Sequence, residues 1–151
     1  MILKTLPEAG TIVSIKRNEL KELLVNLFKR DRKRPPKKVR ANFILGFPEA
    51  INQEWTSEGI YWEVVFYHEQ KEKIAKIDNE GKLEELRTNN SLSDLPDTIN
   101  NSLKAMGEIM NAISIKRGGT VHWEIIYRDE KLARFVCNVD ESGQVISIKK
   151  L

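Results

Sequence analysis

Ile60-Tyr61-Trp62-Glu63-Val64-Val65-Phe66-Tyr67 and, further along, Val121-His122-Trp123-Glu124-Ile125-Ile126-Tyr127-Arg128 are two versions of one pattern. Each alternates large apolar and polar or aromatic side chains around a central Trp-Glu, the mark of a β-strand with two unlike faces. The surroundings repeat as well. Upstream, Pro36-Lys37-Lys38-Val39 with Phe43 corresponds to Pro96-Asp97-Thr98-Ile99 with Leu103. Downstream, Ile77-Asp78-Asn79-Glu80-Gly81-Lys82-Leu83 corresponds to Val139-Asp140-Glu141-Ser142-Gly143-Gln144-Val145. From proline to tryptophan the spacings are 26 and 27 residues, and from tryptophan to aspartate 16 and 17. Landmarks that hold register this closely predict a tandem duplication.

Each copy reads as one helix followed by four antiparallel strands joined by short polar turns. In the first, a helix begins near Pro36, buries Val39, Phe43 and Phe47, and stops at Pro48. Strands follow over Ile51 to Trp55, Ile60 to Tyr67, Glu72 to Ile77 and Lys82 to Thr88. In the second, a helix from Pro96 to Asn111 uses Ile99, Leu103, Met106 and Met110. Its strands are Ala112 to Lys116, Thr120 to Arg128, Lys131 to Val139 and Gln144 to Leu151. Asp78 and Asp140 precede glycine turns, where an aspartate accepts from backbone N–H groups two residues on. The expected fold class is α+β: tandem α-β4 repeats forming an antiparallel sheet of about eight strands, with helices packed on one face.

Ahead of the repeats, Leu20, Leu23, Leu24, Leu27 and Phe28 fall on one face of a helix that Asn18 can cap. Thr11 to Ile15 reads as a short strand or extended arm. The expected organisation is an N-terminal arm and amphipathic helix over 1–34, a first repeat over 35–88, a linker over 89–94 and a second repeat over 95–151.

The 151 residues carry a net charge of +3, unevenly spread. Residues 29–40 hold eight Lys or Arg against Asp31 alone, whereas residues 41–151 have 13 basic and 18 acidic side chains. Clustered cations suit phosphate contacts, so the run offers an alternative function in binding nucleic acid or an anionic surface. Its lack of interleaved aromatics, its place at a helix end and the acidic body behind it argue for a solvated helix terminus instead. A single cysteine, Cys137, excludes an intramolecular disulfide framework and fits a core position. No apolar run reaches the roughly 20 residues of a membrane span. Met1 to Ile15 contains Pro7, Glu8 and Gly10 where a secretory leader would be apolar, so the chain as written reads as cytoplasmic.

Alternation assigns the two faces of the Trp strands. Ile60, Trp62, Val64 and Phe66, with Val121, Trp123, Ile125 and Tyr127, are expected beneath the helices, each large side chain contributing roughly 1.5 to 3 kcal/mol. Tyr61, Glu63, Val65 and Tyr67, with His122, Glu124, Ile126 and Arg128, then occupy the open face. Tyr61, Val65, Tyr67 and Ile126 are more apolar than water requires, which marks these eight residues as candidates for binding a protein partner. Strand propensity alone would also place such residues there, and an apolar face would equally serve a homodimer.

Signals for catalysis are absent from the sequence: it has no phosphate-binding glycine loop, no His-x-x-x-His and no Cys-x-x-Cys. No catalytic residue, metal ligand or cofactor site is assigned. His68, in a hairpin, and His122 are expected to be solvated. Glu63 and Glu124 could approach on neighbouring strands, but partners to Lys or Arg in the ladder are the commoner outcome for such residues. An enzyme would need a pocket joining Glu63, Glu124 and His122.

Pro36-x-x-Val39-x-x-x-Phe43-x-x-x-Phe47-Pro48-x-Ala50, Glu54-Trp55, Tyr61-Trp62-Glu63-Val64 and Ile77-Asp78-x-x-Gly81-Lys82-Leu83, with the copy from Leu95-Pro96, resemble the PepSY-like proteins. Their duplicated form is similar to the β-lactamase-inhibitor-protein (BLIP) fold, and the resemblance covers roughly residues 36–151. It implies a curved eight-stranded antiparallel sheet with helices on one side and no catalytic activity. Related modules bind or inhibit other proteins, or have no known role, and are commonly secreted or periplasmic. A periplasmic or secreted location would follow if a leader precedes residue 1. The chain departs from the pattern in its N-terminal helix and basic run, and in Gly107-Glu108 near where the first copy has Phe47-Pro48.

Overall fold

A proline that opens a helix and a proline that ends it frame the first element of the main unit. In the computed structural model, which describes residues 2–5, 12–15 and 34–151, helix α1 spans Lys37–Gly46 with Pro36 at its N-cap. It ends where Phe47 leaves helical geometry ahead of Pro48, whose ring disfavours helix in the preceding residue. Four strands follow: β3 (Ile51–Glu58), β4 (Tyr61–His68), β5 (Lys71–Asp78) and β6 (Leu83–Asn90). A 3-10 turn over Leu92–Asp94 leads to helix α2 (Asp97–Leu103), then β7 (Glu108–Arg117), β8 (Thr120–Arg128), β9 (Arg134–Asp140) and β10 (Val145–Lys150). All eight strands form one antiparallel meander in chain order, with β3 and β10 at its edges and β6 against β7 at its centre.

Residues 34–151 make up this unit, and residues 1–33 belong to another. In the latter, β1 (Ile2–Thr5) pairs antiparallel with β2 (Ile12–Ile15). The expected strand near Thr11 to Ile15 is thus one arm of a hairpin. The amphipathic helix expected around residues 18–34 and basic residues 29–33 lie outside the described residues.

Among the described residues two core clusters form, one per helix. Val39 and Phe43 of α1 pack with Trp62, Val64, Phe66, Ala75 and Ile77. Leu95 and, from α2, Ile99 and Leu103 pack with Ala112, Trp123, Ile125, Tyr127, Cys137 and Val139. Both tryptophans lie on the helix side, 7% and 8% exposed. Cross-strand pairs correspond: Trp62 faces Ile77 as Trp123 faces Val139, and Val64 faces Ala75 as Ile125 faces Cys137. Phe66 faces Lys73, whereas Tyr127 faces Phe135, on which it stacks at 5.2 Å. The first cluster gains its aromatic partners from α1, with Phe43 edge-on to Phe66 at 4.9 Å and Phe47 at 4.8 Å from the same ring.

Several expectations need correction. The second helix stops at Leu103 rather than running to Asn111, and Met110 sits in β7, 40% exposed. Gly107 is the reason. Its φ of +150° suits glycine, and a Cβ there would lie 2.2 Å from the carbonyl oxygen of Arg128, so the chain must turn into β7. Ile60 is 68% exposed instead of buried, because β3 continues through Glu58 and Gly59-Ile60 form the turn. Asn89 and Asn90 belong to β6, facing Ile113 and Ala112, so the linker expected from residue 89 begins later. The one-residue difference between the tryptophan-to-aspartate spacings lies in the β8–β9 turn, where Arg128 faces Arg134. In the first half His68 faces Lys71 across only two residues.

Asp78 and Asp140 do what their positions suggest. Asp78 Oδ1 accepts from the N–H groups of Glu80 and Lys82 at 2.9 Å, and Asp140 Oδ1 from those of Ser142 and Gln144 at 2.9 and 3.0 Å. The glycines that follow have φ of +87° and +89° and press against the helices. A Cβ on Gly81 would meet the Asn42 side chain, and one on Gly143 would lie 2.7 Å from the Thr98 carbonyl oxygen in α2. A side chain can swing away and a helical carbonyl cannot. Gly81→Ala is therefore expected to cost about 1 kcal/mol, mostly from the positive φ, and Gly143→Ala about 2 to 3 kcal/mol. Denaturant midpoints of the two variants measure the difference, and equal losses would show that turn geometry alone sets the cost.

Candidate functional site: the open face of the sheet

Because successive side chains on a strand point to opposite sides, burying Trp62, Val64 and Phe66 sends Tyr61, Glu63, Val65 and Tyr67 to the other face. The same holds in β8 for His122, Glu124, Ile126 and Arg128. All eight predicted residues thus share the face away from the helices. They do not form one cluster, since β5, β6 and β7 lie between their strands. At about 4.8 Å per strand the two columns stand roughly 19 Å apart. Glu63 and Glu124 are therefore not on neighbouring strands, and no pocket can join Glu63 to Glu124 and His122.

The intervening strands supply residues that the sequence reading missed. One row crosses the sheet through directly facing pairs: Glu54, Val65, Ile74, Arg87, Ile115, His122 and Asp140. Ile115 in its middle is only 1% exposed although no helix among the described residues covers this side, and it belongs to neither helix-side cluster. Its neighbours Arg87 and His122 across the strands, and Ile113 and Arg117 along its own, are all large. A neighbouring row places Tyr67 beside Ile51 at the β3 margin, where they are 45% and 60% exposed. Ile126 faces Val136 on the far side, both half-buried. The signal for the missed residues was weak, because in β5 and β6 polar and apolar residues mix on both faces.

Charges cross the face between these two apolar pairs. Lys76 faces Glu63 in the ladder and places its ammonium 4.6 Å from the centre of the Tyr61 ring. Glu85 accepts from Arg87 Nε at 2.7 Å through one oxygen and from Arg117 Nε through the other. Arg87 also stands 3.9 Å from Glu124. Partial burial pushes the Glu85 carboxyl up, but hydrogen bonds from Arg87 and Arg117 outweigh it and hold the group below the usual carboxylate range.

On the helix side, His68 departs from expectation. Its side chain is 13% exposed and packs edge-on to Phe47 at 5.5 Å, because it continues the alternation of Val64 and Phe66. Nearby Lys73 is 7% exposed, donates to Glu69 Oε2 at 2.9 Å and lies 3.3 Å from His68 Nδ1. That hydrogen bond and the charge of Lys73 hold Glu69 below its ordinary value. Cys137 is fully buried, as expected, and burial pushes its thiol up. Of the basic run, Arg34, Lys37, Lys38 and Arg40 lie among the described residues, and Lys38 is paired with Glu80. No group of three or more His, Cys, Asp or Glu among the described residues could hold a metal ion. Among those residues no helix is long and apolar enough to cross a membrane.

The fold and this face define a class: an α+β protein with an open eight-stranded antiparallel meander and its described α-helices on one side. No protein-family model matches the chain, and no curated protein does. Solved structures do. A DUF2874 family protein from Bacteroides uniformis superposes with a TM-score of 0.68 at 14% identity, over 76% of this chain and 88% of that one. Another from Bacteroides ovatus gives 0.67 at 17% identity, over 77% and 87%. A BLIP-like protein from Bacteroides fragilis gives 0.66 at 14% identity, over 78% and 86%. The fold is BLIP-like.

The depressed Glu85 sets a pH dependence. A carboxylate held below its unfolded value stabilises the native state above the unfolded pKa of about 4.3, and the gain is lost as pH falls through the lower folded value. Glu85→Gln is expected to lose about 1 to 2 kcal/mol at pH 7 and to converge on the parent protein only at acid pH below the lowered folded value. Urea unfolding at both pH values checks this, and a difference independent of pH would dismiss the ion-pair account.

Proposed function

We propose that the chain is a non-catalytic protein-binding module that presents the open face of its sheet to a partner protein. One observation carries the reading: Tyr67 and Ile51 stand exposed side by side at the β3 margin, continuous with half-buried Val65 and Ile74. An amphipathic aromatic beside aliphatic surface is the composition of a protein-contact core, and the charged strip from Lys76 to Glu124 supplies the polar complement. Tyr61, Glu63, Val65, Tyr67, His122, Glu124, Ile126 and Arg128 are the assigned contact residues, to which we add Ile51, Ile74 and Arg87. Similarity to a BLIP-like structure supports the class of role, since the name is that of an inhibitor protein. We also read the two halves as copies of one PepSY-like α-β4 unit. The matched pairs around Trp62 and Trp123, and the matched Asp-to-Gly turns, support that reading.

Each column lies on the same sheet, so a partner spanning both would contact about 19 Å of rigid surface. Replacing Tyr61 and Tyr67 together by Ala removes the aromatic anchors without touching the helix side. The double variant is expected to lose at least about tenfold in partner affinity, or about 1.4 kcal/mol, at unchanged melting temperature. A control, Ile44→Ala with Leu45→Ala on the exposed side of α1, is expected to bind as the parent does. Affinity capture followed by titration of the recovered protein makes the comparison, and a face variant that binds as well as the control would refute the assignment.

A further inference from the structure

The two margins of the sheet are exposed and opposite in charge. Every residue of β10 is exposed, as is every residue of β3 except Trp55. Such edges offer rows of backbone N–H and C=O groups to another strand. β3 carries Glu54 and Glu58 and no Lys or Arg, while β10 carries Lys149 and Lys150 and no acid. Each edge is irregular at its start, between Ile51 and Glu54 and between Val145 and Ser147, leaving Glu54–Glu58 and Ser147–Lys150 as the regular stretches.

The chain itself contains a template for joining such edges. At the centre of the sheet β6 pairs antiparallel with β7, with Arg87 facing Ile115 and Thr88 facing Ser114. β6 and β10 hold corresponding places: Arg87 and Lys149 each stand six residues after the glycine of an aspartate-capped turn. β7 and β3 correspond too. Ile115 faces His122 and Glu58 faces Tyr61, in each case the residue before the buried tryptophan. Carrying the β6–β7 register over to β10 of one molecule and β3 of another brings Lys149 opposite Glu58 and Lys150 opposite Ser57. Lys149 and Glu58 then share the open face, so the register taken from the inner junction is also one that pairs opposite charges.

We propose that this chain associates with copies of itself head to tail, the β10 edge of one molecule pairing antiparallel with the β3 edge of the next and extending the meander. The contact is heterologous, so it propagates into short open chains or closes as a ring. Being one strand wide, it is a weak and concentration-dependent association. It uses the sheet margins and stands whether or not the open face binds a partner.

Sedimentation velocity on a concentration series of the full chain tests the proposal. The mean mass of the parent protein is expected to rise with concentration and to fall when salt is added. Glu54→Lys with Glu58→Lys makes both edges basic, and Lys149→Glu with Lys150→Glu makes both acidic. Each variant alone is expected to stay monomeric with a parental circular dichroism spectrum, and an equimolar mixture to associate again. With dissolved oxygen as oxidant, Lys149→Cys mixed with Glu58→Cys is expected to form a disulfide between unlike molecules, with Cys137 buried out of reach. A parent protein that stays monomeric throughout overturns the proposal. So does association that survives in either charge variant, a mixture that stays monomeric, or cross-linking confined to pairs of identical variant molecules.

Discussion

Among the described residues two short helices cover one side of an eight-stranded sheet, and much of this structure follows from that limit. At 1.5 Å per residue, α1 and α2 are about 15 and 10 Å long, against a sheet roughly 34 Å wide at 4.8 Å per strand. Each helix can shelter one patch, and among the described residues two core clusters form, each centred on a buried tryptophan strand. Residues on the opposite side must be stable without cover from either helix. On that side Glu85 forms ion pairs with Arg87 and Arg117.

The halves meet this limit differently while keeping the same backbone plan. α1 supplies Phe43, and Phe47 follows at its end, so the strand residue facing Phe66 need not be aromatic, and Lys73 occupies it with its ammonium turned to Glu69. The shorter α2 carries no aromatic residue, and there the sheet provides its own stack of Tyr127 on Phe135. In both halves the turn after the third strand must lie against the helix, and a residue without Cβ fits best at Gly81 and Gly143. The aspartate that begins each turn satisfies two backbone N–H groups with one oxygen, fixing the turn at the height where helix contact occurs.

These constraints explain which parts of the fold could be read in the sequence. Alternation in the Trp strands is strong because one face holds residues too large to be solvated, and the faces follow at once. Aspartate before a glycine turn is a local signal and was equally legible. The end of α2 was not: Met106 and Met110 continue a helical spacing, and what stops the helix is the approach of Gly107 to the backbone at the far end of β8. The burial of His68 was hidden because Phe47, across the layer, joins its hairpin neighbours Glu69 and Lys73 around the ring. On the open face the two predicted columns were correctly sided, yet their separation depends on strand order. Local spacing suggested adjacency for Glu63 and Glu124, and the meander puts three strands between them. Ile115 was overlooked for a related reason, since a residue central to a face that no described helix covers is expected to be wet.

The shifted titratable groups bear on what such a face can do. Serine and backbone hydrogen bonds lower Asp140 within its turn, burial raises Tyr127 and Cys137 beneath the helices, and two arginines lower Glu85. Each shift stabilises the charge state already present at neutral pH: carboxylates stay ionised, and the phenol and thiol stay protonated. General acid–base chemistry needs the reverse, groups moved toward the working pH. On the open face the charges are instead directed at one another and at an aromatic ring. Under the proposed function, charge register on this face would select the partner and the tyrosine and aliphatic residues would supply affinity, the division of labour found in protein recognition.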